Sequence, residues 1–215
     1  MSSKKFFVIK IAAIIALGGF LLGFDASVIS GVVKFIEPEF NLTKLQLGWA
    51  VSSITLTAAV GMLIAGPMSD KYGRRRILKY AAILFTISAV GSALAGNFFW
   101  LIVFRMIGGF AVGAALIIAP MYIAEVAPAE KRGQLVSFNQ LNIVIGISIA
   151  FFTNYLLLKW GNSDAEWAKS LGLGKWNWRW MLGLEAVPAT FYYIGLSIVP
   201  RSPRWLMTQN KKEEA

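Results

Sequence analysis

Apolar residues gather into six runs, approximately 9–33, 45–67, 77–95, 99–124, 134–157 and 178–199. Each is about 20 or more residues long, the length a helix needs to cross a ~30 Å hydrocarbon core. Polar segments separate the runs. The one between the second and third is short, which forces those two helices to lie antiparallel. The one between the fifth and sixth, about 158–177, is long, polar and contains glycine. The pattern predicts an all-α membrane protein of six transmembrane helices. The first run follows Lys4, Lys5 and Lys10 but is too long for a signal-peptide core and has no evident cleavage site, so it reads as a retained span. Gly19 and Gly23 in the first run, and Gly109 and Gly113 in the fourth, are spaced four apart, as small residues are where helix backbones approach closely in lipid.

Composition agrees with this class. Apolar residues make up 57% of the 215 residues and charged residues 15%, too apolar a balance for an ordinary water-soluble domain. The net charge of +10 does not point to nucleic acid, because the cations fall in the segments between runs and not on one surface. Of the 21 Lys and Arg, fourteen fall on the side of the two termini, six on the other side, and Arg105 lies within a run. That bias predicts a multi-pass protein of the cytoplasmic membrane with both termini in the cytoplasm. Trp49, Trp100 and Trp178 near the outer interface, and Trp205 near the inner one, are placed as aromatic anchors. There is no Cys, hence no disulfide, zinc–thiolate site or thiol nucleophile, and no metal site is expected. There is no His either, so proton exchange near neutral pH falls to a carboxylate.

Three ionisable residues lie well inside the runs: Asp25, Arg105 and Glu185. Charge at that depth is expensive and needs a partner or a wet cavity. Counting 1.5 Å per residue from the outer end of each run places all three roughly 9–12 Å deep. A shared depth permits a cluster. Two carboxylates around one arginine cannot both ionise freely, as a proton-coupling site requires. An ion pair that merely holds three helices together fits the same residues. On the fifth run Asn139, Gln140, Asn142 and Asn154 offer amides that suit either sugar hydroxyls or interhelical hydrogen bonds.

The segment Gly66–Arg76 (GPMSDKYGRRR) resembles the signature loop of the major facilitator superfamily, G-x-x-x-D-[RK]-x-G-R-R, at every fixed position. Four further segments resemble one branch, the sugar porters: Gly18–Gly31 (GGFLLGFDASVISG), Arg105–Gly113 (RMIGGFAVG), Pro120–Gly133 (PMYIAEVAPAEKRG) and Pro200–Leu206 (PRSPRWL). The general likeness is to bacterial proton-coupled pentose and hexose symporters.

The resemblance implies residues 1–206 as an N-terminal six-helix bundle of two inverted three-helix repeats, with 207–215 beginning a cytoplasmic linker. It implies secondary transport of a pentose or hexose by proton symport, with no enzymatic step and no cofactor beyond the coupling proton. Asp25 would be the coupling acid with Arg105 and Glu185 as partners. Gln140 would contact sugar. Asp70, Arg74, Arg75, Glu125 and Arg132 would form a cytoplasmic salt-bridge network. The chain departs from the pattern at Arg201, where the P-E-S-P-R-W-L signature has Glu, at Leu22, where an aromatic is usual, and at Ile147, where some relatives have Gln. Such transporters have a C-terminal six-helix half, which is absent here. The partners expected are therefore the bilayer, a sugar and a second half. A truncated or non-transporting membrane module, or a facilitator for another small solute, are the alternatives.

Overall fold

The computed structural model describes residues 3–209, with side chains from residue 7 onward. The side chains of Lys4 and Lys5, and residues 210–215 of the expected linker, lie outside the described residues. The helices are α1 (Ser3–Glu39), α2 (Lys44–Tyr72), α3 (Arg74–Leu94), α4 (Phe98–Val126), α5 (Arg132–Gly161), α6 (Glu166–Ser170), α7 (Asn177–Gly183), α8 (Ala186–Ile198) and α9 (Pro203–Thr208). Among the described residues six segments are long and apolar enough to span a membrane, α7 and α8 together forming the sixth.

Most helix ends lie beyond the apolar limits read from the sequence, where a local signal stops or starts the helix. Thr43 caps α2 through a capping box: its Oγ1 accepts from Gln46 N–H at 3.3 Å, and Gln46 Oε1 accepts from Thr43 N–H at 2.8 Å. Asn97 Oδ1 caps α4 by accepting from Trp100 N–H at 3.0 Å. Gly73 divides α2 from α3 at φ 94° and ψ 145°, a region open to glycine and strained for other residues. A Cβ there would also lie 3.2–3.3 Å from the Trp205 indole. Gly73→Ala is therefore expected to destabilise the chain by about 1–3 kcal/mol, measured by detergent-denaturation midpoint.

The sixth span is divided by a tighter turn where the sequence predicts one helix. Pro188 has no N–H to donate to the Leu184 carbonyl four residues earlier. The turn tightens instead: Val187 N–H donates to Leu184 O at 3.2 Å and Glu185 N–H to Leu182 O at 3.4 Å, both over three residues. Glu185 sits in this turn, between α7 and α8.

The packing follows the swap an inverted repeat requires. α1 lies chiefly on α5, and α2 on α4. Exchanging the first three spans with the last three turns one pair into the other. Glycines make both interfaces. A Cβ on Gly23 would fall on the Ile143 carbonyl, and one on Gly146 on the Phe20 carbonyl. Across the other interface, Gly109 meets Thr57 and Ile54, Gly113 meets the Ala58 carbonyl, and Gly61 would lie 2.9 Å from the Phe110 carbonyl.

The buried apolar residues form two clusters. One, at the end that carries the Gly66–Arg76 loop, includes Ile15, Leu21, Phe85, Ile118, Tyr122 and Tyr192. The other, at the opposite end, includes Phe24, Val28, Leu101, Ile102, Trp178 and Leu182.

Two of the expected aromatic anchors are packed inside the protein. Trp178 is buried and donates from Nε1 to Glu39 Oε2 at 2.5 Å. Trp205 is buried and donates from Nε1 to the Asp70 carbonyl at 2.8 Å. Indole N–H groups find partners when buried, and here loop backbone and a helix-end carboxylate lie within reach. Trp49 and Trp100 remain exposed.

Candidate functional site: a buried charge cluster and a charged network at the loop end

Asp25, Arg105 and Glu185 sit at the junction of the two apolar clusters on each of their three spans. All are buried, at 2%, 1% and 2% exposure. Arg105 donates from one terminal nitrogen to Asp25 Oδ1 at 3.3 Å. Glu185 lies within electrostatic range of both. The matched depth read from the sequence thus corresponds to one cluster.

Its hydrogen bonding is sparse for three charged groups. Asp25 Oδ2, Arg105 Nε and Nη2, and Glu185 Oε1 have no hydrogen-bond partner among the described residues. Gly108, one turn beyond Arg105, makes room for the Asp25 carboxylate. A Cβ there would lie 3.1 Å from Asp25 Oδ2 and 2.5 Å from the hydroxyl of buried Ser88 on α3. Sequence reading did not single out Gly108 or Ser88 as site residues. The signal for Gly108 was its three-residue offset from Arg105, which puts both on one helix face.

The amides of α5 divide. Its buried stripe of Leu135, Asn139, Gly146, Ala150, Asn154 and Leu157 faces α1. Asn154 donates to the Val28 carbonyl across that interface at 3.1 Å, and Asn139 packs on Gly19. Asn142 donates to Phe138 O of its own helix at 2.8 Å. These three serve packing or helix contacts. Gln140 lies off the stripe and is exposed.

At the loop end, Arg74 is the hub of the charged residues. It pairs with Asp70 at 2.8 Å and with Glu125 at 3.1 Å, and it donates to Ser69 O at 3.0 Å. Glu125 also accepts from Ser202 Oγ at 2.5 Å. Ser202 in turn caps α9, accepting from Trp205 N–H at 3.2 Å. Tyr122 hydroxyl donates to Pro200 O. The α2–α3 loop, the end of α4 and the start of α9 are therefore tied together.

Arg75 takes a different place from the one implied by resemblance. It donates to the carbonyls of Leu196 and Ser197, at 2.8 and 2.5 Å, and so closes the C-terminus of α8. Arg132 is exposed at the start of α5 and makes no ion pair among the described residues. Ser202 was the missed member of the network. Its signal was the Ser-Pro dipeptide, which places a cap before a helix with Pro at its first position.

The chain matches the model of the family described as sugar (and other) transporter over residues 11–215. It is 44% identical over 200 residues to a D-xylose transporter of Levilactobacillus brevis, covering 93% of this chain and 41% of that protein. It is 43% identical over 211 residues to a glucose transport protein of Synechocystis, covering 97% of this chain and 44% of that protein. The fold is similar to the solved major facilitator superfamily proton:xylose symporter XylE bound to 6-bromo-6-deoxy-D-glucose. The TM-score is 0.87 at 38% identity, over 98% of this chain and 48% of that one. The chain spans less than half the length of these relatives.

Proposed function

Because the chain belongs to the sugar (and other) transporter family, we propose that it forms the N-terminal six-helix half of a sugar/proton symporter of the cytoplasmic membrane. The observation that carries the coupling is the burial of Asp25 against Arg105, between two apolar clusters, with Glu185 close by. With both acids ionised the cluster has one negative charge in excess, and a single proton neutralises it. Asp25 is the exchanging acid in this reading. It holds Arg105 directly, so protonating it weakens the bond that ties α1 to α4. A proton on this residue and the arrangement of the helices are thereby linked, and linkage of that kind is what a coupled carrier needs.

Gln140 supports the sugar side of the reading, since an exposed amide on α5 presents a donor and an acceptor to hydroxyls. Alternating access requires two bundles that rock about a site between them. The partner is a second six-helix half that closes over the face bearing Gln140. The excess of Lys and Arg on one side supports an orientation with both termini and the Arg74 network in the cytoplasm. There the network acts as a latch whose strength differs between the two orientations.

The test uses the complete transporter, this chain with its second half, in proteoliposomes. Counterflow is measured with a panel of pentoses and hexoses, and accumulation is measured under an imposed potential. One charge moved across 100 mV carries about 2.3 kcal/mol, so a one-proton symporter accumulates sugar about 50-fold. Asp25→Asn is expected to reduce accumulation to parity while counterflow persists. Accumulation that survives the substitution rejects the proton role of Asp25. Absence of counterflow with every sugar rejects the sugar reading.

A further inference from the structure

A cavity of about 410 Å³ lies at the loop end, between the first turns of α3, the end of α8 and the start of α9. Five cationic side chains line it, Arg74, Arg75, Arg76, Lys79 and Arg201, and no carboxylate among the described residues does. The two nearest acids of the latch, Asp70 and Glu125, both pair with Arg74, at 2.8 and 3.1 Å. Arg75 donates to two neutral carbonyls, so its charge is retained. Lys79 lies 4.9 Å above the Tyr193 ring, also a neutral partner. The first turn of α3 forms one wall, and the positive end of that helix adds to the field. Arg201 stands where the resembled signature carries glutamate, so this chain has a cation in place of an anion at the cavity wall.

The rim differs in character from the floor. Tyr80, Ile83 and Tyr193 line it and are exposed. From there exposed apolar residues continue away from the loop end, Ile87 and Val90 along α3. A cationic floor joined to an apolar, aromatic edge matches an amphiphile whose charged end is anionic.

We propose that this cavity binds a phosphate group, carried by the headgroup of an anionic phospholipid or present as free phosphate. Arginine forks and a lysine suit phosphate oxygens, and the rim accommodates the glycerol and first acyl carbons of a lipid. The site is separate from the Asp25 cluster and does not depend on the transport reading.

Native mass spectrometry of the purified chain in detergent tests it, with phosphatidylglycerol as the probe and zwitterionic phosphatidylcholine, whose phosphate is balanced by choline, as the net-neutral comparison. Arg76→Gln/Lys79→Gln/Arg201→Gln is expected to weaken phosphatidylglycerol binding about 100-fold, the combined effect of three cations near a lipid phosphate. Lys159→Gln/Lys169→Gln/Lys175→Gln, which removes equal charge at the opposite end, is expected to leave it within about threefold, since charges that far away are screened. Equal weakening by the two triple variants overturns the proposal, as does equal affinity for the two lipids. Displacement of phosphatidylglycerol by millimolar inorganic phosphate assigns the cavity to free phosphate, and failure to displace assigns it to the headgroup. Circular dichroism confirms that each variant is folded. If the triple variant is not, the single exposed changes decide: Arg201→Glu must weaken binding more than Arg201→Gln, and identical affinities overturn the proposal.

Discussion

Valine at Gly23 is expected to destabilise the chain by about 3 kcal/mol or more, the upper range for overpacking a tight interior. A Cβ at this position falls on the Ile143 carbonyl and close to the Ile143 Cα, which are backbone atoms of α5. A side chain in the way can change rotamer, but helix backbone can only retreat. Retreat is blocked from the other side as well, because Gly146 of α5 holds the Phe20 carbonyl of α1 in the same relation. In lipid no hydrophobic gain restores the lost contact, since acyl chains are as apolar as the helix surface. A gap of 0.5–1 Å already forfeits about a quarter to a half of each dispersion contact along the seam. Gly109→Val should behave alike, because it meets Thr57 and the Ile54 carbonyl at the symmetry-related α2–α4 interface. Gly48→Val is the control: nothing lies within 4 Å of a Cβ there, and its effect should stay below about 1 kcal/mol. Unfolding by SDS titration, followed by tryptophan fluorescence, measures all three. A loss at Gly23 no larger than at Gly48 would show that the seam yields.

Gly23 and Gly109 were legible in the sequence as members of the pairs Gly19/Gly23 and Gly109/Gly113, four apart, and the structure assigns them to packing, whereas Gly146 carried no such spacing. The charge cluster was legible for a related reason. Asp25, Arg105 and Glu185 are exceptions in runs that admit few charges, and a fixed rise per residue converts their positions into a common depth. Contacts to backbone were harder to read. Arg75 sits beside Arg74 in the same basic loop, yet it reaches the carbonyls at the end of α8, more than a hundred residues away. A carbonyl has no signature in the sequence, so a pattern of charges assigns both arginines to carboxylates. The same limit hid the partner of Trp205, the Asp70 carbonyl, and made a packed indole look like an interface anchor. The break at Glu185 is different, because Pro188 four residues after Leu184 announces the missing hydrogen bond. Joining that arithmetic to the depth of Glu185 would have placed the acid at the tightened turn between α7 and α8.

Removing the arginine from the cluster separates an electrostatic role from a packing role. Arg105→Met keeps a long, flexible side chain of similar reach but leaves Asp25 and Glu185 buried at 2% exposure without a cation. Breaking a buried ion pair from one side costs about 3–5 kcal/mol, because the remaining charge is uncompensated. The variant is expected to lose that much in the same SDS titration. Replacing all three groups together, as Asp25→Asn/Arg105→Met/Glu185→Gln, removes the charges but keeps the volumes. Neutral substitution of a whole buried ionic group is often near neutral in stability, so the triple variant should recover to within about 1 kcal/mol of the parent. Such recovery would mean that the cluster is not retained for stability, since an uncharged version holds the helices equally well. Arg105 has two nitrogens without hydrogen-bond partners among the described residues, and each acid has one such oxygen. A purely structural ion pair gains most when those atoms are satisfied. If the triple variant is as unstable as Arg105→Met, the cluster is holding α1, α4 and the α7–α8 turn together through its packing, and its retention needs no coupling role.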